Sequence, residues 1–502
     1  MAWICATASD GANANAAAVN SGRLAFIGSS SLFGCVPIIV LFWAGDAFAH
    51  GFGERYELPL PLTLFLTASG LVVLVSFAVM ALFLRSGSDL RDYPRVHLLG
   101  TWFGRLIASA TVILVLRLVA LFLFLLVIVA GIFGEQRAFK NIAPVMVWAI
   151  AWVGFAYVAA LAGNLWALVN PLDTLFRWTE NLYAQTGRRL SLDLPYPSRL
   201  GVWPAVALFL GFVWMELVWE GADAPARLAT ALLVYSGLTW LGMLLFGRNK
   251  WLRRGEIFSV VYGYLARFAP LEARTVDGRR EWNLRPYAVG LLPREPLGPS
   301  EIVLVILILA AVSYDGFLET PAWAAIVERF GYEHAPLKTA GLLGGLLLFL
   351  AAYLFVCGAI ERLGSSGPSA SRARTAGLFV LTLVPIAIAY HVAHYLSFFL
   401  MAGQYLVPLA SDPLGQGWDL FGGARHFIRL SIIDARAVWY VSVAAIVAGH
   451  VVAVFLAHVV ALREFSTRRA ALRSQVPMVA LMVAYTMTSL WIIAQPIVTP
   501  QR

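Results

Sequence analysis

Long apolar stretches separated by short polar segments make up most of the chain. Ten of them, all after the first fifty residues, are long enough to cross a hydrocarbon core of about 30 Å, which takes roughly 20 apolar residues in a helix. They lie near 61–84, 109–133, 143–168, 201–219, 226–247, 301–318, 339–360, 375–402, 438–462 and 477–496. The pattern predicts an all-α, polytopic membrane helix bundle of about ten transmembrane helices.

Composition supports this fold class and removes several others. Of the 502 residues, 60% are hydrophobic and 13% are charged, against roughly 45–50% and about 25% in soluble domains. The only cysteines are Cys5, Cys35 and Cys357, which are too few and too scattered for a disulfide framework, a zinc knuckle or an iron–sulfur cluster. The lipid bilayer is therefore the first expected partner.

The positive charges indicate the orientation. When the loops are assigned alternately to two sides, 25 of the 37 Lys and Arg residues fall on one side. Such loops face the cytoplasm by the positive-inside rule. We therefore expect a bacterial inner-membrane protein with residue 50 and the C-terminus in the periplasm. The net charge of +9 is explained by these loops, so we expect no nucleic-acid partner.

Residues 1–49 have the features of a signal peptide. Arg23 precedes an apolar run over 24–43, and Ala47-Phe48-Ala49 matches an A-x-A cleavage site. Cleavage there would make His50 the first residue, with a free α-amine beside its imidazole. The alternative is an uncleaved eleventh helix. Residues 50–502 then form a single polytopic membrane domain.

The largest segment outside the predicted spans is 248–300, a basic loop assigned to the cytoplasmic side. Within it, residues 256–269 place Phe258, Tyr262 and Leu265 at helical spacing. This spacing predicts an amphipathic helix lying at the membrane interface.

Ionisable side chains inside the spans are few. Such groups are costly in a bilayer and mark functional sites by default. The eighth span carries His391 and His394 on one helix face, shortly after Pro385, which is expected to kink the helix. The ninth span carries His450, and the remaining candidates are two carboxyl groups near the outer ends of their helices, Asp315 in the sixth span and Glu216 in the fourth.

Depth places the three histidines at one level. At 1.5 Å per residue, His394 and His391 lie about 12 and 16 Å below the outer surface, and His450 about 18 Å. Three imidazoles with a carboxylate suit a divalent metal ion that activates water for hydrolysis, and zinc or copper is the expected ion. The alternative is that these histidines form hydrogen bonds between helices.

We therefore predict two sets of site residues, the metal ligands and the catalytic carboxyl groups. The metal ligands are His391, His394, His450, Asp315 and His50, and the catalytic carboxyl groups are Asp315 and Glu216. His458, about 12 Å below His450, is not expected in this set. The sequence has no G-x-S-x-G motif, Walker loop or Rossmann glycine pattern after a strand. It therefore lacks the motifs that a serine hydrolase, an ATPase or a dinucleotide-binding protein would need.

Seven segments give the chain a resemblance to a known family. They are AHGFGERYELPLP at 49–61, GNLWALVNP at 163–171, WLRRGEIFSVVYGYLARFAP at 251–270, YDGFLETPAW at 314–323, YHVAHYLSFFL at 390–400, SDPLGQGWDLFG at 411–422 and WYVSVAAIVAGHVVAVFLAH at 439–458. With these segments the chain resembles bacterial integral membrane proteins of the fenitrothion hydrolase type. The resemblance implies hydrolysis of a lipophilic organophosphorus triester. The metal site is inferred from spacing and depth alone.

Two other functions stay open. The same histidines could bind copper or haem in a redox or metal-handling membrane protein. They could also relay protons in a transporter, or belong to an assembly subunit that works with a second membrane subunit and has no hydrolase activity.

Overall fold

The computed structural model describes residues 56–84, 93–276, 278–292, 295–364, 371–429 and 432–497. The predicted signal segment 1–49 and His50 lie outside these residues. Ten described helical spans are long and apolar enough to cross a membrane. They run Leu62–Phe83, Ala110–Phe133, Ile142–Leu161, Ser198–Leu217, Pro225–Phe246, Pro299–Leu318, Ala335–Gly364, Arg372–Gly403, Ala435–Glu464 and Arg468–Ile497. The all-α bundle of a multi-pass membrane protein is thereby confirmed, with each span near its predicted position.

The α-helices are numbered in chain order. They are α1 Leu62–Phe83, α2 Trp102–Ile107, α3 Ala110–Phe133, α4 Ile142–Pro144, α5 Phe155–Leu161, α6 Trp166–Val169, α7 Pro171–Ala184, α8 Trp203–Leu217, α9 Pro225–Phe246, α10 Arg248–Arg254, α11 Ile257–Leu265, α12 Pro299–Leu318, α13 Pro321–Phe330, α14 Ala335–Gly364, α15 Arg372–Phe379, α16 Val384–Gly403, α17 Leu406–Ser411, α18 Ala435–Glu464 and α19 Arg468–Ile497. The strands are β1 Val96–His97, β2 Leu271–Val276 and β3 Arg279–Leu284. Short 3₁₀ turns occur at Leu98–Gly100, Ala138–Lys140, Ser198–Leu200, Val289–Leu291 and Val380–Leu383.

Besides the 3₁₀ turn Ser198–Leu200 that begins the fourth span, two spans depart from regular α-helix. In the third, a π-helix over Val145–Gly154 joins α4 to α5. In the eighth, the 3₁₀ turn Val380–Leu383 joins α15 to α16, and Pro385 lies in the first turn of α16. Proline is tolerated there because the first-turn N–H groups have no partner within the helix. The kink predicted at Pro385 therefore corresponds to a 3₁₀ turn that ends just before it.

The middle of the bundle is built on α12, α16 and α18, whose side chains are mostly buried. Gly449 on α18 faces α16 so closely that an added Cβ would lie 2.4 Å from the Cβ of Ala389. Small residues let membrane helices approach in this way. By contrast, α1 and α3 expose large apolar side chains, including Leu71 at 58% and Phe122 at 63%, as expected for a surface that faces lipid tails.

Loops assigned to the same side by the charge pattern meet in the structure. At one end of the bundle, β1 from the first loop pairs with β3 from the 248–300 loop in a three-stranded antiparallel sheet, ordered β1-β3-β2. Two loops assigned to the opposite side also meet. The N–H of Glu135, in the loop after the second span, donates to the carbonyl of Leu414, in the loop after the eighth span, at 2.8 Å. Each of these two pairs of loops therefore lies on one side, as the alternation of spans requires.

The segment predicted as an interfacial helix forms α11, and it packs inside the bundle. Tyr262 and Val261 are fully buried, and the Tyr262 hydroxyl donates to the carbonyl of Ala151 in the π-helix. The N-cap of α11 is Glu256, which is also fully buried and accepts hydrogen bonds from the N–H groups of Phe258 at 2.9 Å and Ser259 at 2.7 Å. Because the cap anchors α11 within the core, only part of the 248–300 loop lies at the surface.

Candidate functional site

The site is organised around Asp315 in the last turn of α12. Asp315 is 6% exposed, and a carboxylate at this position lies near the negative end of the helix dipole. Such a group is costly to bury unless donors or a positive charge compensate it. The next residue, Gly316, lies so near α16 that an added Cβ would be 2.7 Å from the hydroxyl of Tyr390. Gly316 therefore permits the approach that brings Asp315 to the donors on α16.

Two neighbouring residues of α16 supply those donors to the same oxygen. His394 places Nε2 3.0 Å from Oδ2 of Asp315, and the Tyr395 hydroxyl donates to Oδ2 at 2.7 Å. The side chains of His394 and Asp315 are 7% and 9% exposed. In such an environment of low dielectric constant, hydrogen bonds to a charged group are strong.

Glu216 adjoins this pair through Tyr395. The Tyr395 hydroxyl lies 3.4 Å from Oε1 of Glu216, a longer contact than the one to Asp315. One hydroxyl proton can be donated fully to only one acceptor, so the geometry favours Asp315 as the acceptor. Glu216 is half-buried and lies in the last turn of α8. A continuous polar path thus runs from Glu216 through Tyr395 and Asp315 to His394.

His391 lies one turn before His394 and is surrounded by aromatic rings. Its ring centroid lies 5.3 Å from Trp152, 5.5 Å from Tyr157 and 4.6 Å from Tyr395, each in edge-to-face geometry. Its Nε2 is buried and has no hydrogen-bond partner among the described residues. A buried polar atom without a partner costs about 1–3 kcal/mol. This makes Nε2 of His391 a candidate contact for a bound molecule.

One of these aromatic rings, Trp152, belongs to the π-helix of the third span. Short π-helical segments occur frequently at functional sites. Trp152, Tyr157 and Tyr395 were not among the sequence-predicted site residues. The signal available for Tyr395 was its position beside His394 in the polar cluster of the eighth span. Nothing in the apolar sequence of the third span indicated a π-helix.

His450 contacts residues of α18 and α19. Its Nδ1 hydrogen-bonds to the carbonyl of Ile446 at 2.8 Å, and its ring lies 5.7 Å from that of Tyr485 on α19. Its described contacts do not include His391 or His394, and its Nε2 has no partner among the described residues. His458 is also separate, because its two ring nitrogens contact Gln475 at 2.9 Å and the carbonyl of Leu84 at 3.3 Å.

The donor set can be compared with the needs of a metal ion. Within the described residues, no group of three or more His, Cys, Asp or Glu side chains is arranged to hold one. Asp315 has His394 and Tyr395 as partners, and the buried Nε2 atoms of His391 and His450 have none among the described residues. The fifth predicted ligand, His50, lies outside the described residues. The metal site stays a prediction.

The arrangement that the structure does provide is a carboxylate–imidazole pair. A carboxylate that holds one ring nitrogen fixes the imidazole orientation and leaves the other nitrogen for proton transfer. In His394 this other nitrogen is Nδ1, which would lie 3.6 Å from a Cβ added at Gly316. The pair can therefore act as a general base. Comparisons with protein-family models, curated proteins and solved structures find no match for the chain.

Proposed function

We propose that the chain is a membrane-embedded hydrolase of lipophilic phosphotriesters in which His394 is the general base and Asp315 orients it. The observation that carries the proposal is the 3.0 Å contact between Nε2 of His394 and Oδ2 of Asp315. The substrate class comes from the resemblance to the fenitrothion hydrolase type. A neutral triester partitions into a bilayer, which suits a site formed within spans.

The proposed reaction uses water as the nucleophile. With its Nε2 proton donated to Asp315, His394 presents the lone pair of Nδ1 to a water molecule and accepts one proton from it as the oxygen attacks phosphorus. The new P–O bond forms and the bond to the leaving alkoxide or aryloxide breaks. Asp315 stabilises the imidazolium produced, as a carboxylate does beside a catalytic histidine. The proton then passes from His394 to the leaving group.

Two further side chains have roles in this scheme. His391, in the tautomer protonated at Nε2, donates a hydrogen bond to the phosphoryl oxygen, which would satisfy its unpartnered nitrogen and stabilise the developing negative charge. Glu216 lies beside the hydroxyl of Tyr395 and is half-buried. Its carboxyl group is the exchange point between the buried pair and the aqueous phase.

The cellular setting belongs to the same proposal. We place the chain in a bacterial inner membrane, with residue 50 and the C-terminus in the periplasm, because 25 of 37 Lys and Arg residues belong to loops on the other side. If zinc or copper binds, His391, His394, His450, Asp315 and His50 remain the predicted ligands, and the ion would supply Lewis-acid activation of water. Metal analysis of the purified protein and its His391→Ala variant tests this prediction.

A second candidate function is supported by the polar path. Glu216, Tyr395, Asp315 and His394 connect three spans through hydrogen-bonding groups, and such chains of ionisable residues carry protons in transporters. A transporter of this kind, alone or with a second membrane subunit, would use the same residues without hydrolysing an ester.

Reconstituted vesicles separate the two functions. The full chain is inserted into liposomes, and release of the phenol from an aryl phosphotriester is measured alongside uptake of protons. The His394→Ala variant is compared with His426→Ala, which changes an exposed loop histidine. We expect His394→Ala to lower triester hydrolysis by about 100-fold or more and His426→Ala to leave it unchanged. Parental vesicles that move protons but hydrolyse no triester would overturn the hydrolase proposal in favour of the transporter.

A further inference from the structure

A second polar site lies at the end of the bundle where the loops containing Arg177 and Arg253 meet. A cavity of about 360 Å³ is formed between the segment around α6 and α7 and the segment around α10 and α11. Polar side chains that line it are Asn164, Asn170, Asp173, Arg253, Ser259 and Arg267. Neither His394 nor any of its partners lines this cavity, so it is separate from the candidate hydrolase site.

The charge of this cavity is positive. The one lining carboxylate, Asp173, is neutralised by Arg177 at 2.6 Å and Arg248 at 2.7 Å. Arg253 and Arg267 have no carboxylate within ion-pair distance among the described residues. Arg253 donates from Nε to the carbonyl of Asn249 on its own helix, and the guanidinium of Arg267 lies 4.7 Å from the ring centroid of Tyr264. Both guanidinium groups therefore keep donors for an anion.

The backbone keeps this space open. Gly263 lines the cavity from α11, and a Cβ added there would meet only Nδ2 of Asn164, at 3.9 Å. A larger side chain at this position would therefore extend into the cavity without displacing neighbouring backbone. Asn164 and Ser259 add neutral hydrogen-bonding groups to the two guanidinium groups. Planar guanidinium donors together with neutral polar groups match a phosphate better than they match an apolar ligand.

We propose that this cavity binds a phosphate group, carried either by an anionic phospholipid or by a soluble phosphate ester. Arginine recognises phosphate through paired N–H donors, and basic pockets between membrane helices bind anionic headgroups. The bound anion joins α11 to the segment around α7. This role is independent of ester hydrolysis.

The experiment measures binding to the full chain after removal of lipid in a neutral detergent. Native mass spectrometry gives the affinity for phosphatidylglycerol and for phosphatidylcholine, and a thermal-shift titration gives that for inorganic phosphate. The variants are Arg253→Gln with Arg267→Gln, and separately Gly263→Leu. The matched control is Arg254→Gln, which changes a neighbouring exposed arginine that does not line the cavity. Circular dichroism verifies that every variant keeps the helical fold.

We expect the double arginine variant and Gly263→Leu each to weaken binding by about 10-fold or more, while Arg254→Gln binds as the parental chain does. Preference for phosphatidylglycerol over phosphatidylcholine identifies a lipid headgroup as the source. Binding of inorganic phosphate without that lipid preference identifies a soluble phosphate. The proposal is overturned if neither probe binds, or if Arg254→Gln weakens binding as much as the double variant.

Discussion

Nε2 of His394 lies 3.0 Å from Oδ2 of Asp315, and the two residues come from different spans. The contact depends on Gly316, which allows α12 to approach α16, and on Tyr395, which donates a second hydrogen bond to the same oxygen. A buried carboxylate near a helix C-terminus is thereby compensated from the neighbouring helix. The site is thus a property of helix packing as much as of residue type.

Replacing Tyr395 by Phe tests the second donor to Asp315. The change removes one hydrogen bond to a buried carboxylate, worth about 1.5–3 kcal/mol, and keeps the ring that contacts His391. We expect kcat for triester hydrolysis to fall by about 10- to 100-fold with little change in KM. The control is Tyr332→Phe at a 67% exposed position. Equal kcat values for Tyr395→Phe and the parental chain would show that the hydroxyl does not hold Asp315.

His391→Leu separates stability from function. Leucine is close to histidine in size, and it removes a buried Nε2 that has no described partner, so the free energy of unfolding is expected to stay equal or rise by about 1–3 kcal/mol. Hydrolysis is expected to fall because the phosphoryl oxygen loses its donor. Thermal unfolding in detergent and steady-state kinetics provide the two readings. A variant that unfolds more easily yet hydrolyses normally would assign His391 a purely structural role.

Glu256 is expected to be essential for the fold and not for chemistry. It is fully buried, caps α11 and also contacts the indole nitrogen of Trp166 at 3.2 Å. Glu256→Ala leaves several donors without an acceptor, which is expected to cost about 3–5 kcal/mol of unfolding free energy. Thermal unfolding measures the loss, and Glu301→Ala on α12 is the comparison. A Glu256→Ala protein as stable as the parental one would contradict this role of the cap.

The sheet formed by β1, β2 and β3 is expected to loosen in acid. Burial alone would raise the pKa of Glu272, but the hydrogen bond from Arg95 and the charge of Arg285 hold this pKa below its ordinary value. The ionised form therefore stabilises the sheet above the ordinary pKa, and the stabilisation is lost as pH falls through the lowered value. The protection of the β3 amides against hydrogen exchange, after correction for the intrinsic pH dependence of exchange, should fall below about pH 4.

The matched variants for this pH effect change one carboxyl group each. Glu272→Gln is expected to give fast exchange at β3 at neutral pH and to remove most of the acid dependence. Glu281→Gln, which removes the pair with Arg274, is expected to keep the acid dependence that Glu272 produces. Slow exchange in Glu272→Gln at every pH would show that the network around Arg95 does not hold the sheet.

The sequence was sufficient for the spans and for part of the site. Apolar length gives the position of each span, and residue counting places Asp315 and Glu216 near the outer ends of their helices and His394 about 12 Å below the outer surface. Rotation about each helix axis does not follow, because it depends on packing such as that of Gly449 against Ala389. Residue counting places His450 at the level of His391 and His394, whereas its ring contact with Tyr485 is known only from the structure.

Two other features needed the structure for similar reasons. Glu256 belongs to a basic loop, and a loop carboxyl group gives no indication from sequence that it caps a buried helix. The π-helix around Trp152 leaves no mark in a uniformly apolar segment. Both arise from tertiary contacts that local patterns do not contain.

The most direct test of the central claim is a double-mutant cycle on Asp315 and His394. Asp315→Asn, His394→Gln and the double variant are purified, verified as folded, and assayed for kcat with an aryl phosphotriester. If Asp315 acts through His394, each single variant loses about 100-fold or more and the double variant is about as slow as either single one, because residues that act as a unit are not additive. Losses that multiply in the double variant, or a single variant with parental kcat, would contradict the account.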